Sequence, residues 1–388
     1  MTVTAYDVLV VGAGPAGLAV AESYRDHGGS GRIAVVGADP DPPYSRPALS
    51  KEFLRGEVVR SDLELRESAF FGDHDIELRV GCEVDALDPA SGCATLAGGE
   101  KIRFRDCVLA TGARPAKAPV PVPAGAPVST LRERSDSETL AESAAGDLLV
   151  VGSGFIGCEA AASIAMRGGR VTMATMEPVP QAVRLGEEVG HRIAGWLREL
   201  GIELLTDATL ERLDAGPPAQ ASFGERTVSA DRILLALGVE PRAELAAECG
   251  IELRHGRVPV DSRMRSGLAG LRAVGDVCLA ENSTAGRPLQ VEHWGEALNQ
   301  GGVAGAHLAG DGAAEWDGAP GFWTTIGERT LKYVAWGDGF DDIRIDERPD
   351  GGFVATYGLD GRIVGVLTHG DDDAYEQGRE LVESGATW

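Results

Sequence analysis

The loop G-x-G-x-x-G occurs twice in this chain, 140 residues apart: Gly12-Ala-Gly14-Pro15-Ala16-Gly17 and Gly152-Ser-Gly154-Phe155-Ile156-Gly157. Each loop follows an apolar run, 8–11 and 148–151, and opens a helix-length stretch, 16–27 and 156–166. A second apolar run comes next in both cases, at 33–36 and 171–173. Strand, turn, helix, strand in that order is a βαβ unit, so each loop predicts a parallel sheet. In such a loop the first glycine makes a tight turn and the second lets the main chain approach a pyrophosphate. The third lets the helix pack closely on the strand, with the helix N-terminus facing the anion. One loop holds one dinucleotide. Two loops therefore imply two dinucleotides in one chain, and that pairing implies electron transfer between them.

The remaining sequence limits the alternatives. The 388 residues can bury two or three cores. No apolar run reaches the 18 residues of a membrane span, and the first strand begins within ten residues of Met1 without a basic, cleavable leader. The expected location is the cytoplasm. A net charge of −24 repels nucleic acid and anionic lipid, which excludes both as expected partners. Cys82, Cys93, Cys107, Cys158, Cys249 and Cys278 are scattered, with no CxxC or CxxxxC spacing. Neither a zinc site nor a redox-active dithiol is expected, and no metal is assigned.

Between the two βαβ units, 115–127 is rich in Pro and Ala and reads as a connector. After the second unit come an amphipathic helix (187–200), an apolar strand (232–237) ending at Gly238, a strand (271–274) entering Gly275-Asp276, and a helix (296–308). From Gly321 the texture changes to short strands, 331–336, 352–357 and 362–367, closed by a helix at 373–383. The expected fold class is α/β: two Rossmann-like dinucleotide-binding lobes plus a small C-terminal α+β domain. The expected division is 1–115 with 242–318 for the first lobe, 116–241 for the second, and 319–388 for the C-terminal domain.

An acid about 20 residues beyond each loop would receive a ribose hydroxyl. Asp39 is the candidate for the first loop, and Glu177 for the second; a solvated surface acid is the alternative for Glu177. A carboxylate there opposes a 2′-phosphate by about 4 kcal/mol at 4 Å and an effective dielectric of 20. NADH is therefore favoured over NADPH. Whether the first loop holds a flavin or a nicotinamide cofactor does not follow from periodicity.

The run Pro43-Tyr44-Ser45-Arg46-Pro47-Ala48-Leu49-Ser50-Lys51 resembles the Y-x-R-P-x-L-S-K signature of FAD-dependent ferredoxin and rubredoxin reductases, a group that includes apoptosis-inducing factor. Ala110-Thr111-Gly112, Leu131-Arg132, Ala236-Leu237-Gly238 through Pro241, Ala273-Val274-Gly275-Asp276, Glu292-His293-Trp294 and Phe322-Trp323 resemble further blocks of that family in the same order. The resemblance implies FAD at Gly12, Gly14 and Gly17, with Asp39 near the adenosine ribose and Val84 offering main chain to the adenine. It implies cationic contacts from Arg46 and Arg132, and Asp276 accepting hydroxyl hydrogen bonds from the cofactor. Lys51 would lie at the flavin edge and pair with Glu159, these two being the expected catalytic residues; an acid interacting with its helix dipole is the other reading of Glu159. Trp294 and Trp323 would be walls of the flavin site, and His293 either touches flavin or fills space.

The implied activity takes hydride from NADH to FAD and passes single electrons to a ferredoxin or similar small carrier, with a homodimer left open. Two alternatives share that first half-reaction: direct delivery to dioxygen, a quinone or a metabolite, and a slow NADH-sensing flavoprotein. The sequence departs from the family after Phe322-Trp323, where Thr324-Thr325-Ile326-Gly327 stands in place of Ser-Asp-Gln-Tyr. The segment from Gly321 onward carries 14 acids against 6 bases, a net of −8. A ferredoxin is acidic, so only a small local basic patch within a Debye length could serve it.

Overall fold

A computed structural model describes residues 4–388; the first three residues of the expected first lobe lie outside it. Strand Thr4–Val11 is central to a sheet in the order Ile76–Arg79, Ile33–Val36, Thr4–Val11, Lys101–Leu109, with all pairings parallel. Helix Pro15–Asp26 connects Thr4–Val11 to Ile33–Val36, as the βαβ reading requires. Strand Lys101–Leu109 does double service. Its start pairs antiparallel with Cys93–Leu96, and its end pairs parallel with Leu271–Ala273. The chain thus returns to its first sheet after a long excursion.

That excursion contains the second sheet, wholly parallel, in the order Glu203–Leu205, Arg170–Ala174, Asp147–Val151, Arg232–Leu235, Val128–Ser129. Exit and return are themselves paired: Ala113–Pro115 runs antiparallel to Val239–Pro241. Between Pro115 and Val128 there is no helix or strand, as the Pro- and Ala-rich composition predicts. The C-terminal part is a five-stranded antiparallel sheet packed against helix Asp372–Glu383.

Two packing features position the cleft. Helix Trp294–Ala309 lies directly on helix Pro15–Asp26, and Gly301 and Gly305 make that approach possible. A Cβ on either would come within 2.4 Å of the carbonyl oxygens of Ala16 and Val20 respectively. The second feature is a core shared across the lobes. Leu49 and Leu54 from the first lobe, Val150 and Ile164 from the second, and Ile326 and Tyr357 from the C-terminal sheet belong to one buried cluster. Burial of this apolar surface, at roughly 25 cal/mol per Å², fixes the three parts against each other.

Candidate functional site

Both glycine loops take the form their sequence dictates, and they do so in the same way. Gly12 has φ +119° and Gly152 has φ +104°, a region open to glycine. A Cβ on Gly12 would meet the Ala110 carbonyl oxygen at 2.1 Å, and one on Gly152 the Ala236 carbonyl oxygen at 2.3 Å. Gly17 and Gly157 are just as confined, at 1.9 Å and 2.3 Å from the carbonyl oxygens of Gly12 and Gly152. The middle glycines differ. At Gly14 and Gly154 an added Cβ meets no protein atom within 4 Å. These two residues are N-caps without side-chain partners, so the first-turn N–H groups face open space. A cradle that only an anion would fill fits a pyrophosphate at each loop.

One cleft of about 1380 Å³ spans the two loops. A site for a single small molecule has roughly 300–1,000 Å³. Most of the residues singled out from the sequence line this cleft, among them Gly12, Gly14, Asp39, Arg46, Lys51, Thr111, Arg132, Gly154, Glu159, Glu177, Gly238, Asp276, His293 and Trp294. Gly17 and Gly152 do not line it; they act through the close packing just described. Val84 does not line it either. Its side chain is buried in strand Val84–Asp88 opposite Leu96; the adenine contact that the resemblance implies is through the main chain.

The cationic wall beside the first loop is interlocked. Arg46 donates to the Arg132 carbonyl oxygen at 2.6 Å, and Arg132 pairs with Asp276 at 2.8 Å. Burial pulls the Arg46 pKa down from its usual value, but a guanidinium keeps its charge. Asp39 reaches the cleft with its oxygens engaged by Tyr44 Oη at 2.9 Å and the Asp41 N–H at 3.1 Å, and with Arg46 at 3.6 Å.

Where the lobes meet, Lys51 Nζ lies 3.2 Å from Glu159 Oε2, and both residues are about 5% exposed. The expected pair forms. Sequence reasoning did not single out its companions. Ser50 donates to Glu159 Oε2 at 2.5 Å, and Thr324 donates to Oε1 at 2.7 Å. Ser50 lies within the run from Pro43 to Lys51, and Thr324 stands where the sequence departs from the family. Two-residue alternation along strand Gly321–Ile326 explains the neighbouring aromatics. Phe322 sits 4.6 Å, centroid to centroid, from both His293 and Phe155, whereas Trp323 is 44% exposed. Trp323 lines the cleft mouth, and Phe322 is the more enclosed wall. Burial, with Arg184 assisting, pushes the His293 pKa down to about 4, so the ring is neutral near pH 7; its Nδ1 is buried without a partner.

Around the second loop, Glu177 Oε2 accepts the Val183 N–H at 3.0 Å. Gln181, with φ +65°, donates to the Ser153 carbonyl oxygen at 2.8 Å and braces the glycine loop. Arg184 lies over the Phe155 ring at 5.4 Å. All six cysteines are free thiols, and none lines the cleft. Among the described residues no group of His, Cys, Asp and Glu is placed to hold a metal, and no helix is long and apolar enough to cross a membrane.

Paired dinucleotide cradles, each on a parallel βαβ unit, define a class, and the family model for pyridine nucleotide-disulphide oxidoreductases matches residues 6–301. The chain belongs to that family. It is 30% identical over 395 residues to a ferredoxin–NAD(P)+ reductase from a Sphingomonas species, covering 100% of this chain and 95% of the relative. A ferredoxin reductase from Rhodopseudomonas palustris superposes with TM-score 0.93 at 29% identity, covering 98% of this chain and 96% of the other. Putidaredoxin reductase, solved as a covalent complex with putidaredoxin, gives TM-score 0.91 at 26% identity, with 97% and 93% covered. The resemblance carried by the run around Arg46 is borne out.

Proposed function

We propose that the protein is an FAD-dependent NADH reductase that delivers single electrons to a ferredoxin-type iron–sulfur protein. The observation that carries the reading is the buried Lys51–Glu159 pair, contributed by opposite lobes where the two glycine cradles share one cleft. When bound, a flavin accepts a hydride and releases electrons singly. The chain supplies the rest. The loops at Gly12 and Gly152 hold the pyrophosphates, and Arg46 and Arg132 place positive charge along the first of them. Lys51 presents a fixed ammonium group to the reacting edge, where it favours negative charge. Glu177 favours a ribose without a 2′-phosphate. Phe322 and Phe155 exclude water, and neutral His293 fills the wall without adding charge. The family's disulfide chemistry has no residues here, because no thiol reaches the cleft.

The test is anaerobic: NADH, catalytic amounts of this protein and a ferredoxin from the source cell, with the iron–sulfur absorbance followed over time. Ferredoxin reduction that needs all three components is expected; a reduced protein that leaves ferredoxin oxidised contradicts the acceptor. One observation favours a second acceptor class. The net charge of −8 after Gly321 opposes an acidic carrier, and fast NADH consumption with a quinone or dioxygen alone would select that class.

A further inference from the structure

We infer that Thr324 is a positioning residue for the Lys51–Glu159 pair, so that the C-terminal sheet completes a constellation otherwise shared by the two nucleotide lobes. The inference rests on the function proposed above. Glu159 receives four donors: Ser50 Oγ at 2.5 Å and Lys51 Nζ at 3.2 Å on Oε2, then Thr324 Oγ1 at 2.7 Å and the Thr325 N–H at 3.4 Å on Oε1. A carboxylate offers about four acceptor sites and no donor when ionised. All four are taken, which fixes the orientation of the carboxyl group. Thr324 is 1% exposed and sits between the inward-facing Phe322 and Ile326, which leaves its hydroxyl no solvent to turn to.

The division of donors matters. Ser50 and Lys51 come from one segment of the first lobe and pull on one oxygen. Thr324 holds the other oxygen from the opposite side, which stops the carboxylate from rotating away from Lys51. Lys51 contacts Glu159 directly and Arg55 acts on it at longer range, both from the first lobe; Cys158 on its own helix is a buried thiol. The C-terminal strand faces it with the two threonines.

Replacing the hydroxyl in Thr324→Val leaves Oε1 with the long contact to Thr325 alone. The carboxylate is then free to rotate, and Lys51 loses its fixed anchor. Anaerobic stopped-flow reduction of the bound flavin by NADH is expected to slow roughly tenfold at neutral pH. The flavin midpoint potential, measured by dye equilibration, should rise in Thr324→Val relative to the unmodified protein, because the carboxylate is no longer held against the Lys51 ammonium. Thr324→Ser should restore both rate and potential. Thr324→Ala carries the same expectation should the valine variant not fold. Rate and potential unchanged in the hydroxyl-less variant would overturn the inference, as would a loss that serine does not rescue. Failure of NADH to reduce the flavin of the unmodified protein would instead overturn the proposed function.

Discussion

Around Gly12 the cleft wall is assembled from segments scattered along the chain, with Arg46, Arg132 and Asp276 held by one another and Trp294 lining the same cleft. Around Gly152 the wall includes Val183, 82% exposed, and Ile156, 38% exposed, beside the solvent-facing Arg184. The two loops have nearly identical glycine geometry. What differs is enclosure, which on the proposed function separates a resident cofactor from a co-substrate that enters and leaves in each cycle. On that reading the same local code serves two roles through its tertiary surroundings.

The sharpest way to break this comparison is to damage each loop alone. Gly12→Ala puts a Cβ 2.1 Å from main-chain oxygen at φ +119°, a cost of more than about 4 kcal/mol if nothing moves. The variant should purify without flavin or fail to fold. Gly152→Ala meets a similar clash at 2.3 Å, yet it should retain flavin, reducible by dithionite and not by NADH; a colourless Gly152→Ala would erase the distinction between the sites. Next in size is Arg132→Ala, which leaves Asp276 unpaired. Flavin affinity measured by ultrafiltration should fall about 10–100-fold, while the nicotinamide affinity of the remaining holoprotein changes little.

Glu177→Gln sharpens the other side. Removing the carboxylate should raise the NADPH-to-NADH ratio of kcat/KM by about tenfold or more, and an unchanged ratio would make Glu177 a surface acid. The smallest effect is on stability. The folded pKa of His293, about 4, lies below the unfolded value of 6.5, so the unfolded chain binds more protons between them. Stability from this group is complete above pH 6.5 and is lost as pH falls toward 4. Denaturation at both ends of that window should show a loss of about 1–3 kcal/mol that His293→Asn removes.

How far the sequence disclosed this arrangement varied with the kind of signal. The two βαβ units were legible because apolar runs and glycine spacing act over a few residues, and Glu187–Glu199 because its apolar positions repeat at helical spacing. Strand Asp342–Glu347 was not legible: D-I-R-I-D-E lies at a sheet edge, largely solvated, with little apolar content to mark it. The antiparallel hairpin Ala219–Phe223 and Arg226–Ala230 was missed for a similar reason, its second strand being mostly exposed. In the site, Lys51 and Glu159 were found through the family resemblance. Thr324 was not, because its role exists only once a strand 165 residues from Glu159 arrives beside it. Trp323 was preferred over Phe322 because the sequence does not say which of two adjacent aromatics a strand turns inward.

The central claim is that two dinucleotides meet in one cleft and that electrons cross from the second site to the first. Anaerobic titration of the purified protein with NADH, followed in the visible flavin band, tests it most directly. The account predicts complete bleaching at one NADH per flavin. A flavin band that persists while NADH remains unoxidised would contradict it.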